Sequence, residues 1–329
     1  MILKFIIFSL NLSFTYVFAE ELKISVENNE NTQSFAIKKF ASPLSLAITI
    51  DDLPAAGQDA KFITREDVSK NIIKALKDSK IPEVYGFVNG SLLYQTELQS
   101  RILKEWKNNG YLLGNHTFLH NDLAKVSTQD YIQDIEKNES TLIDFVHNIS
   151  ELKIFRYPYL MEGNSLEKRY DIRSYFVKRN YKIAQVTIDS EDWSYNEAYI
   201  RCRNENLEKE AQQLIDNYIE HIFHVLTYSD KLAHYIYGEN RKIPHILLIH
   251  YNALNAFSLP SLLDKMKKYN IKFVSSLTTI NDPIFKEDFP LEMKAGIPFY
   301  EQMRRSRKLV YKGFPFPYLN KSWINSICN

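Results

Sequence analysis

The stretch that decides the fold is Leu44-Ser45-Leu46-Ala47-Ile48-Thr49-Ile50-Asp51-Asp52. A short, mostly apolar and partly β-branched run ends in two adjacent carboxylates. Such a run reads as a buried strand, and acids at its end need a partner, because an isolated charge is expensive to bury. Two roles suit the pair: one carboxylate binds a cation while its neighbour acts as a base. The alternative is a strand-to-helix turn with an acidic N-cap.

Further runs of the same kind occur at Glu83–Val88, Tyr111–Gly114, Lys153–Phe155, Lys182–Ile188, Ile246–Tyr251 and Ile271–Val274. Amphipathic stretches lie between them. Val68, Ile72, Ile73 and Leu76 share one face, as do Leu98, Ile102, Leu103 and Trp106. Thr128 is placed to cap a helix carrying Tyr131, Ile132, Ile135, Leu142 and Val146, while Ser258 and Pro260 open another with Leu262 and Met266 inside. Seven strands alternating with helices imply a parallel sheet, and their even spacing suggests closure into a barrel, whose sites gather at the C-terminal strand ends. Residues 195–243 break the repeat as a polar, helical insertion. Residues 281–329 form a tail with several prolines.

The 329 residues are 45% apolar and 25% charged, an ordinary globular composition. Residues 1–19 read as a secretory signal peptide: Lys4 starts an apolar stretch, and Val17 and Ala19 flank a small-residue cleavage site. That stretch is interrupted by Asn11 and is shorter than the ~20 residues a membrane span needs. Export with no stable membrane span follows. Cleavage leaves 40 basic against 40 acidic residues, a balance unsuited to nucleic-acid binding. Residues 20–43 are a polar lead-in. Cys202 and Cys328 form no C-x-x-C motif, and export permits but does not require their pairing.

The run Gly114-Asn115-His116-Thr117-Phe118-Leu119-His120 follows a strand. Histidines four apart lie on one face of a helical turn and can grip one ion. With Asp52 they make a His₂–carboxylate set with open coordination positions.

These residues resemble the polysaccharide deacetylase family, also called the NodB-homology group or carbohydrate esterase family 4. The likeness spans residues 44–280, insertion 195–243 included. It is carried by Thr49-Ile50-Asp51-Asp52, His116-Thr117-Phe118-Leu119-His120, Arg156-Tyr157-Pro158-Tyr159, Asp189-Ser190-Glu191-Asp192-Trp193 and Leu248-Ile249-His250, in that order and at strand ends. Ile50 replaces the usual Phe, at a packing position. The run His250-Tyr251-Asn252-Ala253-Leu254-Asn255-Ala256 resembles a bacterial subgroup.

The resemblance implies a distorted (β/α)7 barrel and metal-dependent N-deacetylation of an N-acetylglucosamine-containing polysaccharide such as peptidoglycan, a chitin-type oligomer or an exopolysaccharide. Asp52, His116 and His120 would hold a divalent ion. Zinc fits this ligand set, and cobalt or another divalent ion fits too. Asp51 would be the base, kept ionised and oriented by Arg156. A backbone N–H near Tyr159 would join the metal in stabilising the oxyanion. His250 would protonate the leaving amine, oriented by Asp192, and Trp193 and Leu248 would wall the acetyl pocket.

Other readings accompany these. The same centre serves an O-acetyl ester or another amide, and loss of Asp51, Arg156 or His250 would mark a non-catalytic polysaccharide binder. Trp193 is expected to face the core, Leu248 belongs in any core, and Asp189 has no catalytic role. His147, His221, His224, His234 and His245 read as surface or packing residues. The Asn-x-Ser motifs at Asn138 and Asn148 receive no function.

Overall fold

The computed structural model describes residues 39–329; the expected signal peptide (1–19) and all of the lead-in before residue 39 lie outside the described residues. Eight strands form one sheet: β1 (Leu44–Leu53), β2 (Tyr85–Val88), β3 (Leu112–Asn115), β4 (Ile154–Phe155), β5 (Lys182–Ile183), β6 (Ile188–Asp189), β7 (Pro244–His250) and β8 (Ile271–Phe273). Every pairing is parallel, in the order β5-β4-β3-β2-β1-β7-β6, with β8 beside the first residues of β1. The described residues also form ten α-helices: α1 (Arg65–Asp78), α2 (Glu97–Asn108), α3 (Thr128–Leu142), α4 (Leu166–Arg179), α5 (Asp192–Asn204), α6 (Glu208–Tyr237), α7 (Ala253–Lys268), α8 (Ser276–Ile280), α9 (Phe299–Ser306) and α10 (Lys321–Ser326).

The fifth expected strand, Lys182–Ile188, is interrupted. Its first part pairs with β4 and its last with β7, and the residues between serve both edges. Ala184 N–H donates to Phe155 O (2.7 Å) and Thr187 N–H to Ile246 O (3.1 Å). One extended run therefore links the two edges of the sheet, and the sheet curls into the distorted (β/α) barrel that the motif order implies. Splitting is the consequence of serving two neighbours at once.

Strand pleating then assigns the side chains. On β1, Leu46, Ile48 and Ile50 join the core under the helices, while Ala47 joins the core inside the barrel with Tyr85, Phe87, Ile154, Ala184 and Ile246. Thr49 and Asp51 continue the inward face of Ala47. On β7, Leu248 and His250 continue that of Ile246, and the register sets Thr49 opposite Leu248 and Asp51 opposite His250. The last inward layer at the C-terminal end is thus polar.

Local chemistry shifts two expected helix starts. Ser127, not Thr128, caps α3 by accepting from Asp130 N–H. Asn252 caps α7 by accepting from Asn255 N–H, so the helix begins ahead of Ser258 and carries Pro260 inside it. The insertion consists of most of α5 and the 30-residue α6. Cys202 on α5 is disulfide-bonded to Cys328.

Asn138, fully buried, knots α3 to the strand ends. Its amide donates to Val88 O and Asn115 Oδ1, each at 2.8 Å, and its oxygen accepts from Gly90 N–H at 2.8 Å. The folded chain offers no glycosylation acceptor there, whereas Asn148 is exposed. Asn138→Ala leaves several buried polar groups unpaired and should destabilise the fold by about 2–4 kcal/mol. Chemical denaturation reads this directly, and a change below about 1 kcal/mol would contradict the network.

Candidate active site

The C-terminal strand ends open into a cleft of about 850 Å³, lined among others by Asp51, Asp52, His116, His120, Tyr159, Trp193, Leu248 and His250. Arg156 and Asp192 are buried just behind it. The structure therefore brings all ten residues singled out from the sequence to one place.

Neighbouring strand residues point to opposite faces, so Asp51 and Asp52 cannot both face the cleft in regular extended backbone. Asp52 takes a left-handed conformation (φ 60°) that turns its carboxylate into the cleft beside that of Asp51. The two histidines meet by a similar device. His116 and His120 do not lie on a helical turn; they bracket an irregular loop in which Thr117 (φ 61°) and His120 (φ 58°) are left-handed. This brings the ring centres to 4.9 Å.

Asp52 Oδ1 lies 3.5 Å from His116 Nε2 and 3.4 Å from His120 Nε2. The three ligand atoms fall within 4.8 Å of one another. Burial pushes both imidazoles below their ordinary pKa, His116 well below it, which favours the neutral form that coordinates metals. His116 Nδ1 lies 2.8 Å from Arg156 O, which fixes its tautomer and aims Nε2 at Asp52. Asp52 Oδ1 is buried without a hydrogen-bond partner. An orphaned carboxylate oxygen facing two neutral imidazoles is a donor set that a divalent cation completes.

Asp51 is fully partnered. Arg156 Nη1 reaches both of its oxygens at 3.1 Å, Nη2 donates to Thr49 Oγ1 at 3.0 Å, and Nε donates to Ala184 O at 2.6 Å. Burial raises the Asp51 carboxyl to about 6 against the opposing charge of Arg156, keeping it within reach of neutral pH as a proton acceptor. Across the cleft, His250 Nδ1 is 2.6 Å from Asp192 Oδ1, and His250 N–H donates to Asp192 Oδ2 at 2.7 Å. Burial pulls the His250 pKa down, but the charge and hydrogen bond of Asp192 outweigh it and set it at about 10. His250 is thereby held as an imidazolium whose Nε2 faces Asp52 Oδ2 at 3.9 Å.

Tyr159 (φ 56°, ψ 15°) and Leu160 (φ 53°) form a left-handed turn at the cleft edge. The Tyr159 ring packs 4.5 Å from that of His120. Trp193 does not face the core: it sits in the first turn of α5, 50% exposed, and Tyr159 is 59% exposed. Two open aromatic faces thus flank the centre, while Leu248 is buried in its floor.

Several participants escaped the sequence reading. Asn252 and Asn255 both donate to Asp192 Oδ2; their spacing after a strand end is a helix-cap signature that could have flagged them. Asp189 and Glu191 line the cleft. His221 and His245 are buried, in keeping with their reading as packing residues, and His221 Nε2 approaches Glu191 at 3.3 Å. No local signal marked Ala295, Gly296 and Lys321, which reach the cleft from the tail.

The polysaccharide deacetylase family model matches residues 39–173. A peptidoglycan-N-acetylglucosamine deacetylase of Bacillus cereus is 30% identical over 148 residues, 45% of this chain; the chain spans about half (46%) of that relative's length. Among solved structures, the chitin deacetylase of Colletotrichum lindemuthianum has 19% identity and a TM-score of 0.49, over 75% of this chain and 91% of the other. A mutant of a CE4 family pseudoenzyme has 16% identity and a TM-score of 0.49, over 74% and 68%.

In metal-free protein, the His250 imidazole should keep its proton up to about pH 10. Asp192→Asn removes the charge that raises this pKa, so the midpoint should fall by more than about 1 unit. NMR titration of the ring resonances measures both, and an unmoved midpoint would remove Asp192 from this role.

Proposed function

We propose that the chain is an exported, metal-dependent hydrolase that removes acetyl groups from an N-acetylglucosamine-containing polysaccharide, a reading supported by the match of residues 39–173 to the polysaccharide deacetylase family model. One observation carries the reading. An Asp52–His116–His120 set that could hold a metal ion stands between the Arg156-paired carboxylate of Asp51 and the Asp192-paired imidazole of His250.

A divalent cation held by Asp52, His116 and His120 would supply Lewis acidity toward water and the acetyl carbonyl. The set suits zinc, with cobalt or another divalent ion as alternatives. Asp51, oriented by the Arg156 fork, takes a proton from the attacking water. The Tyr159 backbone N–H faces the developing oxyanion. His250 gives its Nε2 proton to the departing amine, and Asp192 stabilises the charged ring before the transfer. The Leu248 side chain and the foot of Trp193 wall the space for the methyl group. The open faces of Tyr159 and Trp193 suit the apolar faces of sugar rings.

The name of the Bacillus cereus relative makes peptidoglycan the first substrate to test. The Cys202–Cys328 disulfide supports an oxidising location and hence export. Asp51, Arg156 and His250 are all present, which disfavours a purely binding role.

Acetate release should be measured from peptidoglycan and N-acetylglucosamine oligomers after chelator stripping and reloading with zinc or cobalt. Release is expected only from the reloaded protein, and Asp51→Asn should lower it by about 10²–10⁴-fold. Stoichiometric metal binding without acetate from either amide, but with acetate from O-acetylated glycans, would convert the assignment to an esterase. Failure to bind metal would remove the catalytic reading.

A further inference from the structure

We propose that the C-terminal segment 293–299 is a strap that sets the oxyanion-facing turn, and that Gly296 is its positioning residue. This rests on the functional reading above only in giving the Tyr159 N–H a catalytic purpose. The segment lies beyond the part of the chain that matches the polysaccharide deacetylase family model.

The turn at Tyr159 and Leu160 places two successive side-chain-bearing residues in the left-handed region, a conformation that persists only where its surroundings impose it. Its own hydrogen bonds are local: Leu160 N–H to Tyr157 O and Met161 N–H to Pro158 O, each at 3.1 Å. The remaining constraint comes from the tail. A Cβ built on Gly296 would overlap the Tyr159 carbonyl oxygen and lie 2.8 Å from Tyr159 C and 2.9 Å from Leu160 C. The two backbones are therefore in direct contact, with space for no side chain larger than hydrogen. Gly296 is absent from the positive-φ residues, so closeness rather than conformational freedom demands glycine here.

The strap is fixed on both sides of this contact. Met293 N–H donates to Gly163 O (3.2 Å), just past the turn, and Phe299 N–H donates to Val186 O (2.7 Å), in the run that links the sheet edges. Phe299 is fully buried against Phe285 and Phe289. Upstream, Asp288 meets Arg173 at 3.1 Å and Arg169 at 3.7 Å, and both arginines hold the buried Glu162 of the same loop. The strap thus presses the Tyr159–Leu160 peptide from a frame anchored in the barrel. Rotation of that peptide would swing the Tyr159 backbone away from the cleft.

Gly296→Ala should push on the Tyr159 carbonyl and misaim the preceding N–H. The expected result is a kcat lowered by about 10- to 100-fold, short of the roughly 10²–10³-fold cost of deleting such a donor. The thermal midpoint should fall, because the added Cβ must displace backbone, but below that midpoint KM and metal stoichiometry should stay near wild type, a split that general unfolding would not produce. The ¹⁵N-tyrosine amide resonance of Tyr159 should shift. A folded Gly296→Ala protein with wild-type kcat and an unmoved Tyr159 resonance would overturn the proposal. If that variant does not fold, Asp288→Asn loosens the strap without a clash: a smaller loss in kcat with an altered Tyr159 resonance is expected, and no change in either overturns it. Should the wild-type chain release no acetate at all, the functional reading fails, while the Tyr159 resonance still decides whether the strap sets the turn.

Discussion

The buried contact between Arg156 and Asp51 is the constraint on which the rest of the site depends. Two charges removed from water are tolerated only when geometry is good and every remaining donor is satisfied. Here the guanidinium spends Nη1 on Asp51, Nη2 on Thr49 and Nε on the Ala184 carbonyl, and its flat face lies 4.6 Å from the Phe87 ring centre. Its own backbone carbonyl holds His116 Nδ1. One residue at the end of β4 therefore orients the proton acceptor on β1, aims an imidazole after β3, and ties to the run between β5 and β6. Lysine, with a single nitrogen, could meet only part of this demand.

The opposite side repeats the logic with a different charge pattern. Asp192 is buried and collects donors from His250, Asn252 and Asn255; burial alone would raise its pKa, but the charge and hydrogen bonds of His250, with the hydrogen bond of Asn255, hold it ionised below its ordinary value. That fixed negative charge keeps His250 protonated. Asp51 is meanwhile drawn toward neutrality by its own burial. The environment thus pushes two titratable groups in the directions a base and an acid require. Asp52, between them, alone has an oxygen left without a partner among these carboxylates.

Much of this arrangement was legible in the residues. Short apolar runs located the strands because a parallel strand buried on both faces must be nearly continuous in apolar character. The motifs named the right side chains because chemistry restricts residue type. Backbone conformation was harder to see. Nothing in the run from His116 to His120 announces two left-handed residues, so a helical turn was the natural reading of the spacing. The run Lys182–Ile188 looked like one strand because its apolar content does not reveal that it serves two different edges. Trp193 reads both as a core-facing residue and as a wall of the acetyl pocket; its place in the first turn of α5 puts it beside the open cleft and away from the core. The tail was opaque for a further reason: Gly296 matters through what it approaches, and closeness to a distant segment leaves no periodic signature.

Those conformations are where the fold concentrates strain. Asp52, Thr117, His120, Tyr159, Leu160 and Glu191 all have positive φ, and all but Thr117 line the cleft. Other left-handed residues, such as Asn180 and Asn270, sit where helices end, a place where asparagine adopts this conformation at small cost. The cleft residues enjoy no such excuse, and each costs on the order of 1–3 kcal/mol. A set of neighbouring outliers in an otherwise regular barrel persists because the staves, the Asn138 knot, the Arg156 fork and the tail over-determine it. The barrel therefore supplies rigidity, and the loops at its mouth use that rigidity to hold side chains in directions that extended or helical backbone would deny them.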